Sequence, residues 1–125
     1  MKDSEPIKSH RDLIAWRKAM ELVVAVYETS KSFPREEVYG LTSQMRRAAV
    51  SVPANIAEGQ GRRSKAEFGN FLSHARGSLL ELDTHLEIAL RLDYLSGHDH
   101  TRIQDQAREV GRIINGLLRS LTSDL

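Results

Sequence analysis

Apolar side chains recur every three or four residues along most of this chain, which is the spacing of helices that bury one face. The first such stretch runs from Asp12 to Lys31 and carries two apolar stripes. Ser9, with Asp12 three residues later, is placed to cap its start, and Phe33-Pro34 ends it because proline disfavours a helical conformation in the preceding residue. The stripe predicted to face the core is Leu13, Trp16, Met20, Val23, Val24 and Tyr27.

Three further helices follow, and each has an apolar stripe that is predicted to face the core. The second runs from about Thr42 to Glu58, with Gly59 and Gly61 placed at its end. The third opens with Ser64 to Glu67, which has the form of a capping box, and continues to about Tyr94. The fourth begins near Asp99 or Thr101. The predicted core positions are Met45, Ala49, Val52 and Ile56 in the second helix, Phe68, Phe71, Leu72, Ala75, Leu79, Leu82, Leu86 and Leu90 in the third, and Ile103, Ala107, Val110, Ile114, Leu117 and Leu121 in the fourth.

Four amphipathic helices with short connections indicate an all-α, up-down-up-down four-helix bundle. We expect one domain over residues 1–125, with residues 1–8 as a disordered N-terminal tail. Gly111 and Gly116 each weaken the fourth helix by about 1 kcal/mol relative to alanine.

The stretch RAAVSVPANIAEG places a proline inside the second helix. Pro53 frees the carbonyl of Ala49, so either the helix is kinked and continuous or a new short helix starts with Ser51 as its cap. The apolar stripe keeps its phase across the proline, which favours the kinked helix. Asn55 is then expected to bond backbone groups freed by the kink, and Glu58 to pair with Arg62 or with a neighbouring helix. The alternative makes Asn55 and Glu58 catalytic or ligand-binding.

Small and apolar residues also lie on a second face of each of the first two helices. A helix that is apolar all round is normally buried all round, and the other helices of a bundle cover only one side. We therefore expect homo-oligomerisation, with an interface at Leu22, Val26, Val50, Ala54 and Ala57.

Composition excludes several classes of function. The 18 Lys and Arg against 17 Asp and Glu give a net charge of +1, so no global basic field attracts polyanions. The absence of cysteine excludes disulfides and thiolate chemistry. No apolar run approaches the roughly 20 residues of a membrane span, and the start MKDSEPIKSH lacks a signal peptide's apolar middle. We expect a cytoplasmic protein without membrane contact.

Enzyme motifs are weak. A di-metal bundle needs two Glu-x-x-His pairs, whereas Glu81 and His85 are four apart and no other helix offers a matching pair. Gly59 to Arg63 lacks the ending and the strand of a phosphate-binding loop. We predict no catalytic residue, metal or cofactor.

Basic residues support nucleic-acid binding as the leading specific hypothesis. Arg62, Arg63 and Lys65 precede the third helix, whose N-terminal N–H groups also favour phosphate. Arg46 and Arg76 add charge, and an oligomer would multiply each patch. Few aromatic residues remain for base stacking, so binding would be directed at the backbone. The competing interpretation places Arg46 or Arg47 in ion pairs with Glu58 or Glu81.

The chain resembles the bacterial four-helix-bundle family of 23S rRNA intervening-sequence proteins, which is related to the accessory subunit of diversity-generating retroelements. The resemblance covers roughly Asp12 to Leu121. It rests on Asp12-Leu13, Trp16, Lys18-Ala19, Phe33-Pro34 with Glu37, the runs from Tyr39 to Ala48 and from Ser51 to Gly59, Phe68, Phe71-Leu72, and the run from Ala75 to Thr84.

This resemblance implies a bundle that assembles into a ring, a pentamer, with no known enzymatic activity. For the retroelement relatives it implies nucleic-acid binding and contact with a reverse transcriptase, so a polymerase is a candidate protein partner. The expected function is a non-catalytic homo-oligomer that serves as an accessory module for RNA, DNA or a ribonucleoprotein. The alternative is a protein-assembly scaffold with no nucleic-acid role.

Overall fold

The computed structural model describes residues 7–122, and within them the chain is all-α with no strand. The four helices are α1, Ile14–Ser30; α2, Leu41–Gln60; α3, Lys65–Arg91; and α4, Gly97–Thr122. Short 3-10 helices at His10–Asp12 and Arg35–Glu37 precede α1 and α2. The four helices are confirmed, with ends a few residues from those predicted. The expected tail, residues 1–8, lies outside the described residues except for its last two.

Each helix of the bundle packs against two others. α1 contacts α2 and α4, and α3 contacts the same two helices. The core lies between all four, and its largest fully buried side chains include Leu22, Met45, Ile56, Leu72, Leu82, Leu86, Ile103 and Ile114. Burial of each such side chain stabilises the fold by about 1.5–3 kcal/mol. The predicted stripes of α2, α3 and α4 supply most of this core and are confirmed for most residues, whereas five predicted core residues are only half-buried: Phe68, Phe71, Leu90, Leu117 and Leu121.

The predicted faces of α1 are exchanged only in part: Leu13 is buried and Trp16 and Val23 pack against the core as expected, but the rest of the predicted core stripe is exposed. Leu22 and Val26 have no exposed surface, whereas Val24 is 54% exposed and Met20 and Tyr27 are each 39% exposed. The prediction that Leu22 and Val26 form an oligomer face is therefore wrong. The stripe that includes them begins with Ala15 and Ala19, which are also buried. Both stripes are apolar, but small residues let neighbouring helices approach more closely. The stripe with the smaller side chains, which includes Ala15 and Ala19, is therefore the one that is buried.

Hydrogen bonds at the helix starts agree in part with the predicted caps. Ser64 caps α3, because its hydroxyl accepts a hydrogen bond from the N–H of Glu67 at 3.1 Å. The Ser9 capping box is also present, but it closes the 3-10 helix His10–Asp12 instead of α1. The α1 helix begins at Ile14 with no side-chain cap.

Gly59 has a packing role instead of the predicted capping role. It lies inside α2, where a Cβ atom would fall 2.7 Å from Cβ of Phe71 and 2.9 Å from Cδ1 of Phe68. Real Cβ atoms do not approach that closely. Gly59 therefore lets α2 and α3 pack closely at this position, where no room remains for a side chain.

The proline segment forms part of α2. Pro53 is buried within the unbroken helix Leu41–Gln60, so no separate short helix starts at Ser51. The side-chain amide of Asn55 donates to the carbonyl of Ser51 at 2.8 Å and lies 2.9 Å from its hydroxyl. That hydroxyl is 2.8 Å from the hydroxyl of Ser78. Asn55 thus takes part in a polar link between α2 and α3, at a carbonyl other than the one freed by Pro53.

Candidate nucleic-acid interface

The connection between α2 and α3 carries the predicted basic cluster. Arg62 forms an ion pair with Glu58, 3.3 Å between Nη2 and Oε1, and its guanidinium lies 4.8 Å from the centroid of the Phe71 ring. The predicted pairing of Glu58 with Arg62 is confirmed. Arg63 and Lys65 have exposed side chains. The fixed Arg62 and its exposed neighbours give this turn a positive surface held against α3.

Other basic residues lie at the same end of the bundle. The 3-10 helix His10–Asp12 packs against α2, so Arg11 lies near this end, and its guanidinium is 5.3 Å from the Trp16 ring centroid. Arg17 donates a hydrogen bond to the carbonyl of Asp12 at 2.9 Å. The last turns of α4 face the first turns of α3, where Gly69 lies opposite Leu118 and Leu121. They bring Arg119 to the same end.

Charge is strongly polarised along the bundle. Contacts of Ser51 with Ser78 and of Lys18 with Glu109 mark its middle. The half formed by residues 7–20, 52–78 and 110–122 holds ten Lys and Arg and three Asp and Glu. The other half, residues 21–51 and 79–109, holds seven Lys and Arg and eleven Asp and Glu. The near-neutral total therefore conceals a basic half, which can attract a polyanion locally.

Arg46 lies in an intrachain contact. Its Nε donates to the hydroxyl of Ser30 at 2.8 Å, its Nη2 donates to the carbonyl of Tyr27 at 3.3 Å, and its guanidinium lies 4.6 Å from the Tyr27 ring centroid. These contacts join α2 to the C-terminal end of α1, in the less basic half. Arg46 therefore stabilises the fold and is left out of the candidate interface.

Arg47 and Glu81 are both exposed. The expected ion pairs of Arg46 or Arg47 with Glu58 or Glu81 are absent from residues 7–122, where Glu58 pairs with Arg62 instead.

Arg76 lies on the flank between α3 and α4, where its Nη1 donates to Oδ1 of Asn115 at 3.1 Å. This flank also carries Arg108 and Arg112 of α4, which are not among the predicted binding residues. Together with Arg119 they recur at spacings of four and seven residues, the period of one helix face. Their spacing could have indicated that these arginines share one face of α4. Which flank of the bundle that face lies on depends on how α4 packs against its neighbours, and this is seen only in the structure.

An apolar surface lies on the flank formed by α1 and α2, and we call it the α1–α2 flank. It consists of Met20, Val24, Tyr27, Val50, Ala54 and Ala57, of which Ala57 is half-buried and the rest are exposed. The contact between Arg46 and Tyr27 joins the two helices on this side. Three of the predicted interface residues, Val50, Ala54 and Ala57, thus have surface available to a second chain.

Histidine and carboxylate side chains do not converge on a metal site in the described part of the chain. Among residues 7–122, no group of three His, Cys, Asp or Glu side chains is placed to hold a metal ion. The buried His100 has its Nε2 atom 3.6 Å from Oε1 of Glu87. No helix within the same residues is long and apolar enough to cross a membrane.

A polar contact closes the end of the bundle opposite the basic cluster. The Tyr94 hydroxyl donates to Oε2 of Glu37 at 3.0 Å, and this hydrogen bond, with desolvation and the negative charges of Glu37 and Glu36, raises the pKa of Tyr94 above 10.0. Oε1 of Glu37 accepts a hydrogen bond from the N–H of Leu41 at 3.0 Å. Glu37 therefore links the start of α2 to the segment between α3 and α4.

Comparison with known proteins gives one family and one fold. The sequence model of the family described as 23S rRNA-intervening sequence protein matches residues 11–116. A search of curated proteins found no match. A crystal structure from Bacteroides thetaiotaomicron, described as a protein with unknown function from the S23 ribosomal protein family, superposes with a TM-score of 0.76. It is 22% identical, and the alignment covers 84% of this chain and 98% of that one. The family match, residues 11–116, spans α1, α2 and α3 and most of α4.

Proposed function

This chain belongs to the 23S rRNA-intervening sequence protein family, and from that premise we propose that it is a non-catalytic accessory module that binds the phosphate backbone of RNA or DNA. The observation that carries the proposal is the polarised charge. One half of the bundle contains ten Lys and Arg but only three Asp and Glu. This half is therefore strongly basic, although the net charge of the whole chain is only +1.

The proposed contact residues are those at the outer end of this basic half. Arg62, Arg63 and Lys65 form its centre, with Arg11 and Arg119 beside them. Arg62 is held against Phe71 and Glu58, so less side-chain freedom is lost when it meets a phosphate. The N-terminus of α3 adds backbone N–H groups and the positive end of its dipole. These groups recognise phosphates without reading bases.

The proposed assembly is a homo-oligomeric ring, a pentamer, of up-down-up-down bundles in the cytoplasm. Short connections and nearest-neighbour packing of the helices support the up-down path. The α1–α2 flank supports self-association, because exposed apolar side chains gathered on one face gain free energy when a second chain covers them. We retain a bend of α2 at Pro53, where the Ala49 carbonyl loses its helical donor. A ring repeats the basic end once per subunit, which makes weak phosphate contacts multivalent.

The test is light scattering coupled to size exclusion, with and without a short mixed-sequence RNA or DNA strand, at low and moderate salt. We expect nucleic acid to join the assembly at low salt and to leave as salt rises. Arg62→Ala/Arg63→Ala should weaken binding and reduce the slope of log affinity against log salt by about 1.4 for each subunit engaged on a single strand.

A matched control removes the same charge from the opposite end. Arg35→Ala/Arg91→Ala deletes two exposed arginines from the less basic half and should leave both affinity and salt slope close to those of the wild type. Equal losses in the two variants would mean that only net charge matters, and the assignment of the basic end would be wrong. No binding by the wild type at low salt would remove the nucleic-acid role and leave the scaffold function, with a protein partner.

A further inference from the structure

An open groove runs along the flank of the bundle between α3 and α4. Its volume is about 450 Å³. Its lining residues on α4 extend from Gln104 to Asn115, which corresponds to about 16 Å of helix. The groove is lined by Arg76, Leu79, Leu80, Asp83, Gln104, Ala107, Arg108, Gly111, Arg112 and Asn115.

The floor of this groove is apolar. Leu79 and Ala107 are buried beneath it, and Gly111 lies opposite Leu79 on the α4 side. Leu80 stands at the rim with 69% of its surface exposed. Covering an exposed leucine and the apolar floor beside it with another apolar side chain removes apolar surface from water, which is favourable.

Gly111 deepens the groove although the packing of α3 against α4 does not require a glycine. A Cβ atom at this position would lie 3.7 Å from Cδ1 of Leu79, an ordinary contact distance. Alanine would therefore fit, and it would favour the helix. The glycine weakens α4 and leaves open the space that a larger side chain would fill.

The charge around the groove is positive. Arg76, Arg108 and Arg112 border it, against one carboxylate, Asp83, which accepts a hydrogen bond from Gln104 at 3.1 Å. Arg108 and Arg112 are exposed and form no ion pair with any residue from 7 to 122. The groove thus combines an apolar floor with arginines that have no carboxylate partner within the described part of the chain.

We propose that this groove binds an acidic amphipathic helix of a protein partner. A helix of about three turns matches the 16 Å length; its apolar face covers Leu79, Leu80 and Gly111, and its flanking carboxylates meet the arginines. Recognition of this kind uses apolar anchors at helical spacing, and arginine is frequent among residues that dominate such interfaces. The apolar floor and the lack of an aromatic lining residue favour this occupant over single-stranded nucleic acid, which stacks its bases on aromatic rings.

The test measures fluorescence anisotropy of a labelled peptide of about 18 residues, long enough to hold about three helical turns over the groove. Its leucines recur every three or four residues and glutamates flank them; a second peptide carries lysines in place of the glutamates. We expect the glutamate peptide to bind the full chain at least about tenfold more tightly than the lysine peptide. Gly111→Leu, which fills the groove, should weaken binding by about tenfold or more.

Two further variants keep the outcome decisive. Arg108→Glu/Arg112→Glu changes only exposed side chains and should abolish the preference for the glutamate peptide even if Gly111→Leu disturbs the fold. Gly77→Ala, at a position with nothing within 4 Å, should bind as the wild type does. Arg62→Ala/Arg63→Ala should also bind the peptide normally, which separates this site from the proposed nucleic-acid interface.

Three results would overturn the proposal. One is no binding of the glutamate peptide by the wild type at about 100 µM, and another is unchanged binding by both groove variants. The third is a smaller assembly in folded Gly111→Leu, which would mean that a second copy of this chain covers the groove.

Discussion

Gly59→Ala is expected to destabilise the protein although alanine is the better helix former. The added methyl group would meet Cβ of Phe71 at 2.7 Å and the carbonyl oxygen of Phe68 at 3.3 Å. Neither atom can be moved by side-chain rotation, so α2 and α3 must separate at this point. Their interface is the most extensive between any two helices of the bundle. Overpacking of this kind costs about 1–3 kcal/mol, and the gain in helix propensity offsets about 0.8–1 kcal/mol. The difference is a net loss of up to about 2 kcal/mol in the free energy of unfolding.

Gly77→Ala is the matched control, because Gly77 lies inside α3 with nothing within 4 Å of an added Cβ atom. It should raise stability by up to about 1 kcal/mol. Because the gain in helix propensity is common to both variants, they should differ by the overpacking cost, about 1–3 kcal/mol, or roughly 4–12 °C in Tm for a chain of this size.

The assay is urea and thermal unfolding followed by helical circular dichroism at one fixed protomer concentration, since self-association makes apparent stability depend on concentration. Assembly size is measured in parallel. If Gly59→Ala proves as stable as Gly77→Ala, the close approach of α2 and α3 is not what places glycine at this position.

Ser64→Ala should reduce the free energy of unfolding by about 1 kcal/mol in urea, because the α3 cap is lost; an unchanged midpoint would contradict the capping role. The raised pKa of Tyr94 means that its hydrogen bond to Glu37 stabilises the fold below pH 10 and is lost as pH rises through the raised value. Stability measured against pH should therefore fall more steeply above pH 10 in the wild type than in Tyr94→Phe, and parallel curves would count against this coupling. Val24→Glu should give a folded protein of smaller assembly size by light scattering, whereas Ile88→Glu, at another exposed apolar site on α3, should not; a full-sized assembly in Val24→Glu would remove the α1–α2 flank from the interface.

Local features of the chain were predictable because their causes lie close together in sequence. The Ser64 cap and the pairing of Glu58 with Arg62 join residues three and four apart, so helical spacing alone brings them together. The buried stripe of α3 was predictable for a similar reason, since α3 has one dominant apolar face. Gly59 shows the limit of prediction from local sequence. Its position near the end of α2 suggested a cap, but its role depends on Phe68 and Phe71 of another helix.

The sequence by itself determined that the chain forms four amphipathic helices, where most of them begin and end, and most of the core residues of α2, α3 and α4. Hydrophobic periodicity and capping act within single helices, which is why these features were predictable. Tertiary structure decided which of two apolar stripes of α1 is buried, since that choice depends on how closely Ala15 and Ala19 let other helices approach. It also decided how basic and acidic residues are distributed between the two halves of the bundle, and it decided the shape of the α3–α4 groove. These properties arise only when distant segments are brought side by side, and a net charge of +1 contains no information about where each charge lies.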